Sequence, residues 1–376
     1  MKILILSISA GIGHIKAALA IKDYMEVIYD NCAVEIVDAL KYIHPFIDKL
    51  IIGGYLKTVK NSPILFGKLY NASDNDTNIS NLGRLFNDFI SSKLKDMIKE
   101  FMPDIIVATH PFHLEMLSVL KVKQELDIPV IAVITDFSIH SFWIHNYVDA
   151  YVIPDEDLKH ELLNKGIDNS IVFPYGIPVN TRFLKQFNKQ SILCELGFDE
   201  KPTILIMGGG LGIGSIKKIF RLLAFSKIDV QIIVVTGNNS RLRCQIDLIA
   251  KNCNKKIRVF SFTDKIPEFM SISDLLITKP GGVTISEALV KELPIAIIAP
   301  IPGQEEKNCE YLLNKDIAVR LEKNENHLET ILNILNNKDR LLQMKLNSKL
   351  MAKPDAVRNI SDLIMSFSKN KESIEF

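Results

Sequence analysis

The sequence predicts an α/β protein of two Rossmann-like, doubly wound domains facing an interdomain cleft, and three observations predict it. Short runs of Ile, Val and Leu recur along the whole chain, amphipathic stretches of helical length separate them, and the series begins afresh near the middle after a polar interval. Runs that are apolar on both faces belong to strands covered on both sides, and alternation with helices makes such strands parallel. In the first half the runs are Lys2 to Ser7, Val34 to Val37, Ile105 to Ala108, Val130 to Ile134 and Tyr151 to Ile153. In the second they are Thr203 to Met207, Gln231 to Val235, Leu275 to Ile277 and Ile295 to Ala299. Ligands of open parallel sheets collect outside the carboxyl ends of the strands, so two facing sheets place a binding cleft between them.

The interval Asn180 to Lys201 has room for a short helix but no buried strand, and KPTILIMGGG opens the second series. The expected domains are residues 1–185 and 186–353. Residues 354–376 follow as a C-terminal helix, apolar at Ala356, Ile360, Leu363, Ile364 and Phe367, that crosses back onto the first domain. A chain of 376 residues exceeds the size at which one core keeps growing, which agrees with two domains.

With 47% hydrophobic and 24% charged residues, the composition excludes extensive disorder. Lys and Arg total 45 against 44 Asp and Glu, so no whole-chain field attracts nucleic acid. Cys32, Cys194, Cys244, Cys253 and Cys309 form no C-x-x-C pair, which argues against zinc and disulfides and suits a reducing cytoplasm. No stretch reaches the roughly eighteen apolar residues of a spanning helix, and MKILILSISAGIGH reads as a first strand running into a glycine turn rather than a signal peptide. Any membrane contact is therefore peripheral.

The motifs follow the strands. Ser9-Ala10-Gly11-Ile12-Gly13-His14 succeeds the first strand and opens a helix; Lys16 stands where a dinucleotide fingerprint needs a small residue, which weakens a nicotinamide reading. His14 lies in the first helical turn, where nearby amides disfavour the cation, so it is either a neutral proton acceptor or a cap-region histidine without chemistry. Asp38 suits a ribose hydroxyl or a loop. Gly208 to Gly214, GGGLGIG, offers amides to an anion or simply makes a tight turn; it lacks the Lys-Ser/Thr ending of a P-loop.

Lys279-Pro280-Gly281-Gly282 ends a further strand, with Thr284 beginning a helix and Glu287 placed either to complete a capping box or to meet ribose hydroxyls. Pro302-Gly303-Gln304-Glu305 opens the next helix with groups suited to sugar hydroxyls, or with acid enriched at a helix start. In Ala132 to His140, Asp136 could orient His14 or a substrate hydroxyl, or cap a loop. His110 and His113 in ATHPFH, with His140 and His145, show no metalloprotease spacing, so no metal is predicted. Lys41 to Tyr70 carries five lysines against one acid among many apolar residues, which fits an anionic membrane surface or helices packed with solvated lysines.

Taken in order, SAGIGH, ATHPF, VITDFSIHSFW, GGGLGIG, ITKPGGVTISEAL and APIPGQEEKN resemble the monogalactosyldiacylglycerol synthase and processive diacylglycerol glucosyltransferase family over nearly the whole chain. The chain is similar, more distantly, to the peptidoglycan transferase that adds N-acetylglucosamine to a lipid-linked precursor. At Ile12 it departs from the small or polar residue usual in the family. The resemblance implies the twin-Rossmann GT-B fold, with the acceptor on the first domain and the UDP-sugar on the second. It implies inverting transfer of glucose or galactose from a UDP-hexose to diacylglycerol, giving a β-glycoside, without metal or other cofactor and without nucleic acid. The protein would act in the cytoplasm, peripheral on the inner face of the cell membrane. His14 would be the base, assisted by Asp136. Glu287 would hold ribose, Gln304 and Glu305 the hexose, Phe262 the uracil. Gly209, Gly210, Lys279, Pro280, Gly281 and Gly282 would lie at the diphosphate, with Gly237, Asn238, Thr284 and Asn308 also on the donor. Gly13, Tyr55, Lys57, Lys60, Phe66, Tyr70 and Trp143 would meet acceptor or membrane. The alternatives are a transferase for another lipid or a soluble acceptor, a UDP-sugar epimerase, and a sensor without turnover.

Overall fold

A computed structural model describes residues 1–8, 12–38, 41, 81–208, 216–322 and 326–372, the side chains of 81–90 and 368–372 excepted. The chain forms two compact units, Met1–Thr181 with Lys353–Phe376, and Arg182–Ala352.

The first unit runs β1 (Lys2–Ser7), α1 (Ile12–Ile28), β2 (Ala33–Asp38), α2 (Asn81–Phe101), β3 (Ile105–Ala108), α3 (Pro111–Val122), β4 (Val130–Val133), β5 (Ala150–Val152), α4 (Lys159–Asn164) and β6 (Val172–Phe173). Its strands form one parallel sheet in the order β2-β1-β3-β4-β5-β6. β3, β4 and β5 are buried along their whole length, as strands covered on both faces must be. Alternate residues Ile3, Ile5, Ile105, Val107, Ile131, Val133, Ala150 and Val152 line one face, and Ala18, Ile21 and Met25 of α1 pack on it at helical spacing.

The second unit opens with α5 (Lys189–Leu196), followed by β7 (Thr203–Met207), α6 (Ile216–Ala224), β8 (Gln231–Val235), α7 (Ser240–Lys251), β9 (Ile257–Phe260), α8 (Ile266–Ile272) and β10 (Leu275–Thr278). It continues through α9 (Gly282–Val290), β11 (Ile295–Ile298), α10 (Gln304–Asn314), β12 (Ala318–Leu321), α11 (His327–Asn336) and α12 (Lys338–Met351). The parallel order is β12-β11-β10-β7-β8-β9, which is the Rossmann arrangement of two half-sheets wound outward from a central pair.

α13 (Ala356–Glu372) belongs to the first unit and packs against α1. Ile360 and Ile364 are fully buried in that unit's core, each burial being worth about 1.5–3 kcal/mol. The Tyr29 hydroxyl donates to Asp362 Oδ1 at 2.5 Å, fixing the same pairing at its rim. Among the described residues, no helix is long and apolar enough to cross a membrane.

Three strands absent from the sequence reading, β6, β9 and β12, all lie at sheet edges. An edge strand has one side without a neighbouring strand, so it need not be continuously apolar. β9 and β12 carry Arg258 and Arg320 and are largely half-buried. A second difference concerns α9, which begins at Gly282 with Gly281 extended at its N-cap, two residues before Thr284. Thr284 is thus already helical and Glu287 lies past the first turn, so the spacing that suggests a capping box makes none.

Candidate active site

Both sheets reverse their strand order at one point, and there the loops leaving neighbouring strands part to opposite faces. In the first unit that point lies between β1 and β3. Thr109, directly after β3, is stitched to β1 twice: its N–H donates to Leu6 O at 3.1 Å and its hydroxyl to Ser7 Oγ at 3.0 Å, with both side chains fully buried. His14 is the third residue of α1, and its Nδ1 lies 2.9 Å from the Thr109 carbonyl oxygen and 2.8 Å from Oγ1 of Thr135, which follows β4. A carbonyl oxygen only accepts, so Nδ1 carries the proton and donates it to Thr109 O, with the Thr135 oxygen sharing the same N–H. Nε2 is left with its lone pair and is the basic atom of the ring.

Burial lowers the pKa of His14 below the ordinary histidine value, opposed by the Asp136 carboxylate and by the Thr109 carbonyl. The imidazole is therefore neutral at pH 7. His110 meets it edge-on, ring centroids 4.7 Å apart at 83°. His110 caps α3, its Nδ1 accepting the Phe112 N–H at 3.2 Å ahead of Pro111 at the helix start, and burial with the two neighbouring histidines holds it well below the usual range. His113 is fully buried, neither ring nitrogen has a close hydrogen-bond partner among the described residues, and burial pushes its pKa down to about 3 against the pull of Asp38 and of the His110 backbone. Asp38, at the end of β2, pairs with Lys41 at 3.4 Å.

Gly13 precedes His14 in α1, and Asp136 is buried beside Thr135. Trp143, expected at the acceptor or membrane, is only 3% exposed in a short 3-10 turn capped by His140, whereas its neighbour Phe142 is 51% exposed. Tyr55, Lys57, Lys60, Phe66 and Tyr70 lie outside the described residues, as do Gly209 and Gly210.

In the second unit the order reverses between β7 and β10. The turn Lys279 to Gly282 leaves β10 and feeds α9, whose N-terminal amides and dipole favour an anion. Asn308, on α10, is completely buried and donates from Nδ2 to the Pro280 carbonyl at 2.9 Å, so it braces this turn from beneath. Glu305, in the first turn of α10, reaches back: Oε2 accepts the Ile301 N–H at 2.8 Å and lies 3.5 Å from Lys279 Nζ. The β10–α9 and β11–α10 connections are thereby joined. Gln304 starts α10, half-buried, after Gly303 at φ 100°, ψ −120°, a backbone conformation that belongs to glycine. Ala299, directly after β11, holds φ 41°, strain of a kind that gathers at binding sites. Glu287 is 2% exposed on α9 and Thr284 half-buried. Beyond the carboxyl end of β8 lie Gly237 at φ 61° and exposed Asn238, and beyond that of β9 lies Phe262 at 60% exposure.

The structure thus brings His14 and Asp136 together in the first unit, and Lys279 to Gly282, Glu305 and Asn308 together in the second. The sequence reading passed over Thr109 and Thr135 and weighed His110 only as a metal ligand. The signal available was a polar residue directly after a fully apolar run, which Thr109 and Thr135 share. Among the described residues no group of three or more His, Cys, Asp or Glu side chains is placed to hold a metal.

Residues 14–179 match the family described as monogalactosyldiacylglycerol (MGDG) synthase, and residues 203–360 match the glycosyltransferase family 28 C-terminal domain. A processive diacylglycerol beta-glucosyltransferase of Bacillus licheniformis is 28% identical, the match covering 97% of this chain and 93% of that protein. Among solved structures, Acinetobacter baumannii MurG superposes with a TM-score of 0.64 at 16% identity over 97% of this chain and 99% of its own. Anabaena Alr3699/HepE in complex with UDP gives 0.57 at 16% identity over 97% and 100%. The fold is the GT-B fold of these proteins.

Proposed function

We propose, since the chain belongs with the glycosyltransferases that join an MGDG synthase domain to a family 28 C-terminal domain, that it moves a glucosyl or galactosyl unit from a UDP-hexose to the free hydroxyl of diacylglycerol. The observation that carries the reading is His14, neutral and held by Nδ1 so that Nε2 is its only free lone pair. Nε2 takes the acceptor proton as the hydroxyl oxygen attacks C1 of the hexose. The bond from C1 to the diphosphate oxygen breaks, and its electron pair leaves with UDP. Attack opposite the leaving group inverts C1, so an α-linked donor gives a β-glycoside. The charge growing on UDP meets the α9 N-terminus and Lys279, which makes a metal unnecessary. Gly209 and Gly210 complete the diphosphate site, Glu287 binds ribose, Gln304 and Glu305 the hexose, and Phe262, Gly237 and Asn238 the uridine side. Asn308 serves the same site by supporting its turn. The basic, apolar segment from Lys41 to Tyr70, with five lysines against one acid, seats the protein on the anionic inner face of the membrane.

Purified protein incubated with UDP-glucose or UDP-galactose and diacylglycerol vesicles, in EDTA, is expected to yield a β-linked glycolipid read by mass spectrometry and anomeric NMR. Absence of product with both donors refutes the reading. His14→Ala is expected to lose on the order of 10²–10⁴-fold in kcat while binding UDP normally, since the donor residues lie in the other unit.

A further inference from the structure

We infer that Thr135 is a positioning residue for His14: together with the Thr109 carbonyl, its side-chain oxygen fixes the tautomer and the ring plane that leave Nε2 free. The inference rests on the reading of His14 as the proton acceptor. One acceptor on the Nδ1–H sets the tautomer but leaves the ring free to turn about the N–H···O direction. A second acceptor from another strand end removes that freedom. Thr109 follows β3 and Thr135 follows β4, and their oxygens lie 2.9 and 2.8 Å from the same nitrogen. Neither is adjustable. Thr109 is pinned to β1 by its amide and its hydroxyl, and Thr135 is 3% exposed at the end of a fully buried strand.

The chemical type matters as much as the distance. A carboxylate at this place would also accept the Nδ1–H, but it would add a second charge to that of Asp136 and raise the pKa of the ring further. A hydroxyl orients the ring without adding charge. The charge that does act on His14 comes from Asp136, one residue further on, while His110 at the cap of α3 meets the ring edge-on and His113 lies next to His110, both as neutral groups. Orientation and charge are thus divided between Thr135 and Asp136, neighbours in sequence with different tasks.

The test uses full-length Thr135→Val, which keeps the branched shape and removes the hydroxyl, and Thr135→Ser, which keeps the hydroxyl. Side-chain 15N NMR of the wild type is expected to show His14 with its proton on Nδ1; in Thr135→Val a second population with the proton on Nε2 is expected, and in Thr135→Ser the wild-type pattern. With UDP-hexose and diacylglycerol, Thr135→Val is expected to lose roughly 10- to 100-fold in kcat, the scale of a slightly misplaced catalytic group. The KM for UDP-hexose should stay unchanged, and Thr135→Ser should recover most of the rate. A wild-type His14 protonated on Nε2, or a valine variant with wild-type tautomer and kcat, overturns the inference. The tautomer is read without substrate, so a wild type that makes no glycolipid counts against the proposed reaction and leaves this arm to decide on its own.

Discussion

Acidification should weaken the first unit through His113, and the size of the effect follows from its surroundings. The side chain is fully buried, neither ring nitrogen has a close partner among the described residues, and its pKa is pushed down to about 3. In the unfolded chain it titrates near 6.5. The folded value is the lower one, so the unfolded state binds the proton first. Stability is intact above about pH 6.5, and it drains away as pH falls from there toward 3. At pH 5 the gap to the unfolded value is about 1.5 units, which at 1.36 kcal/mol per unit is about 2 kcal/mol lost to this residue alone. His113→Leu has similar volume, suits a helix, and removes two buried nitrogens that lack a close hydrogen-bond partner among the described residues. It should match or exceed the wild type at pH 8, by on the order of 1 kcal/mol. The protein has a single tryptophan, Trp143, buried in this unit, so urea unfolding followed by its emission reads the right transition. Between pH 8 and pH 5 the wild type should lose about 2 kcal/mol more than the variant. Equal losses would refute the account of His113 as a buried, neutral group.

Two further substitutions test the frame around the sites. Asn308→Ala removes the brace under the Lys279 to Gly282 turn and leaves the Pro280 carbonyl without its donor; UDP affinity measured by calorimetry should fall about 5- to 30-fold, the equivalent of roughly 1–2 kcal/mol, and an unchanged affinity would separate the turn from the donor. Gly176 holds φ +96°, and a Cβ there would stand 2.4 Å from Lys353 Cβ, so Gly176→Ala should cost at least about 1–3 kcal/mol in the same tryptophan-detected unfolding. Lys353→Gly in the same chain should recover the steric part only.

How much was legible depends on whether a residue's role lies in its own segment. The central strands could be read because burial on both faces writes itself as an unbroken apolar run, as in IIVA of β3 and TILIM of β7. Three of the four edge strands escaped because only half of that demand falls on them, which lets IRVF and AVRL carry arginine; β2, the fourth, was read from its run Val34 to Val37. His14 was legible as a candidate from its place after the first strand. Its partners were not, because Thr109 and Thr135 stand 95 and 121 residues away and meet it only through the sheet. In VITDF the sequence drew attention to the charged residue, whereas the hydroxyl beside it lies within hydrogen-bond distance of the ring. Asn308 shows the same limit: its type suits a sugar, but its burial assigns it to the support of a turn.

The strand orders explain why the motifs occur where they do along the chain. In an order of 2-1-3-4-5-6 the reversal falls between the first and third strands, and in 6-5-4-1-2-3 between the first and fourth. Those are the strands followed by SAGIGH and ATHPF in the first unit, and by GGGLGIG and KPGG in the second. A glycine loop or a lone histidine at any other strand end would face a neighbouring connection on the same side of the sheet and have less room for a ligand. The motifs are weak as patterns and gain their meaning from coinciding with the two places where each sheet opens. Under the proposed function, catalysis falls to the first reversal, where two oxygens hold the His14 ring, and donor binding to the second, where amides and Lys279 gather.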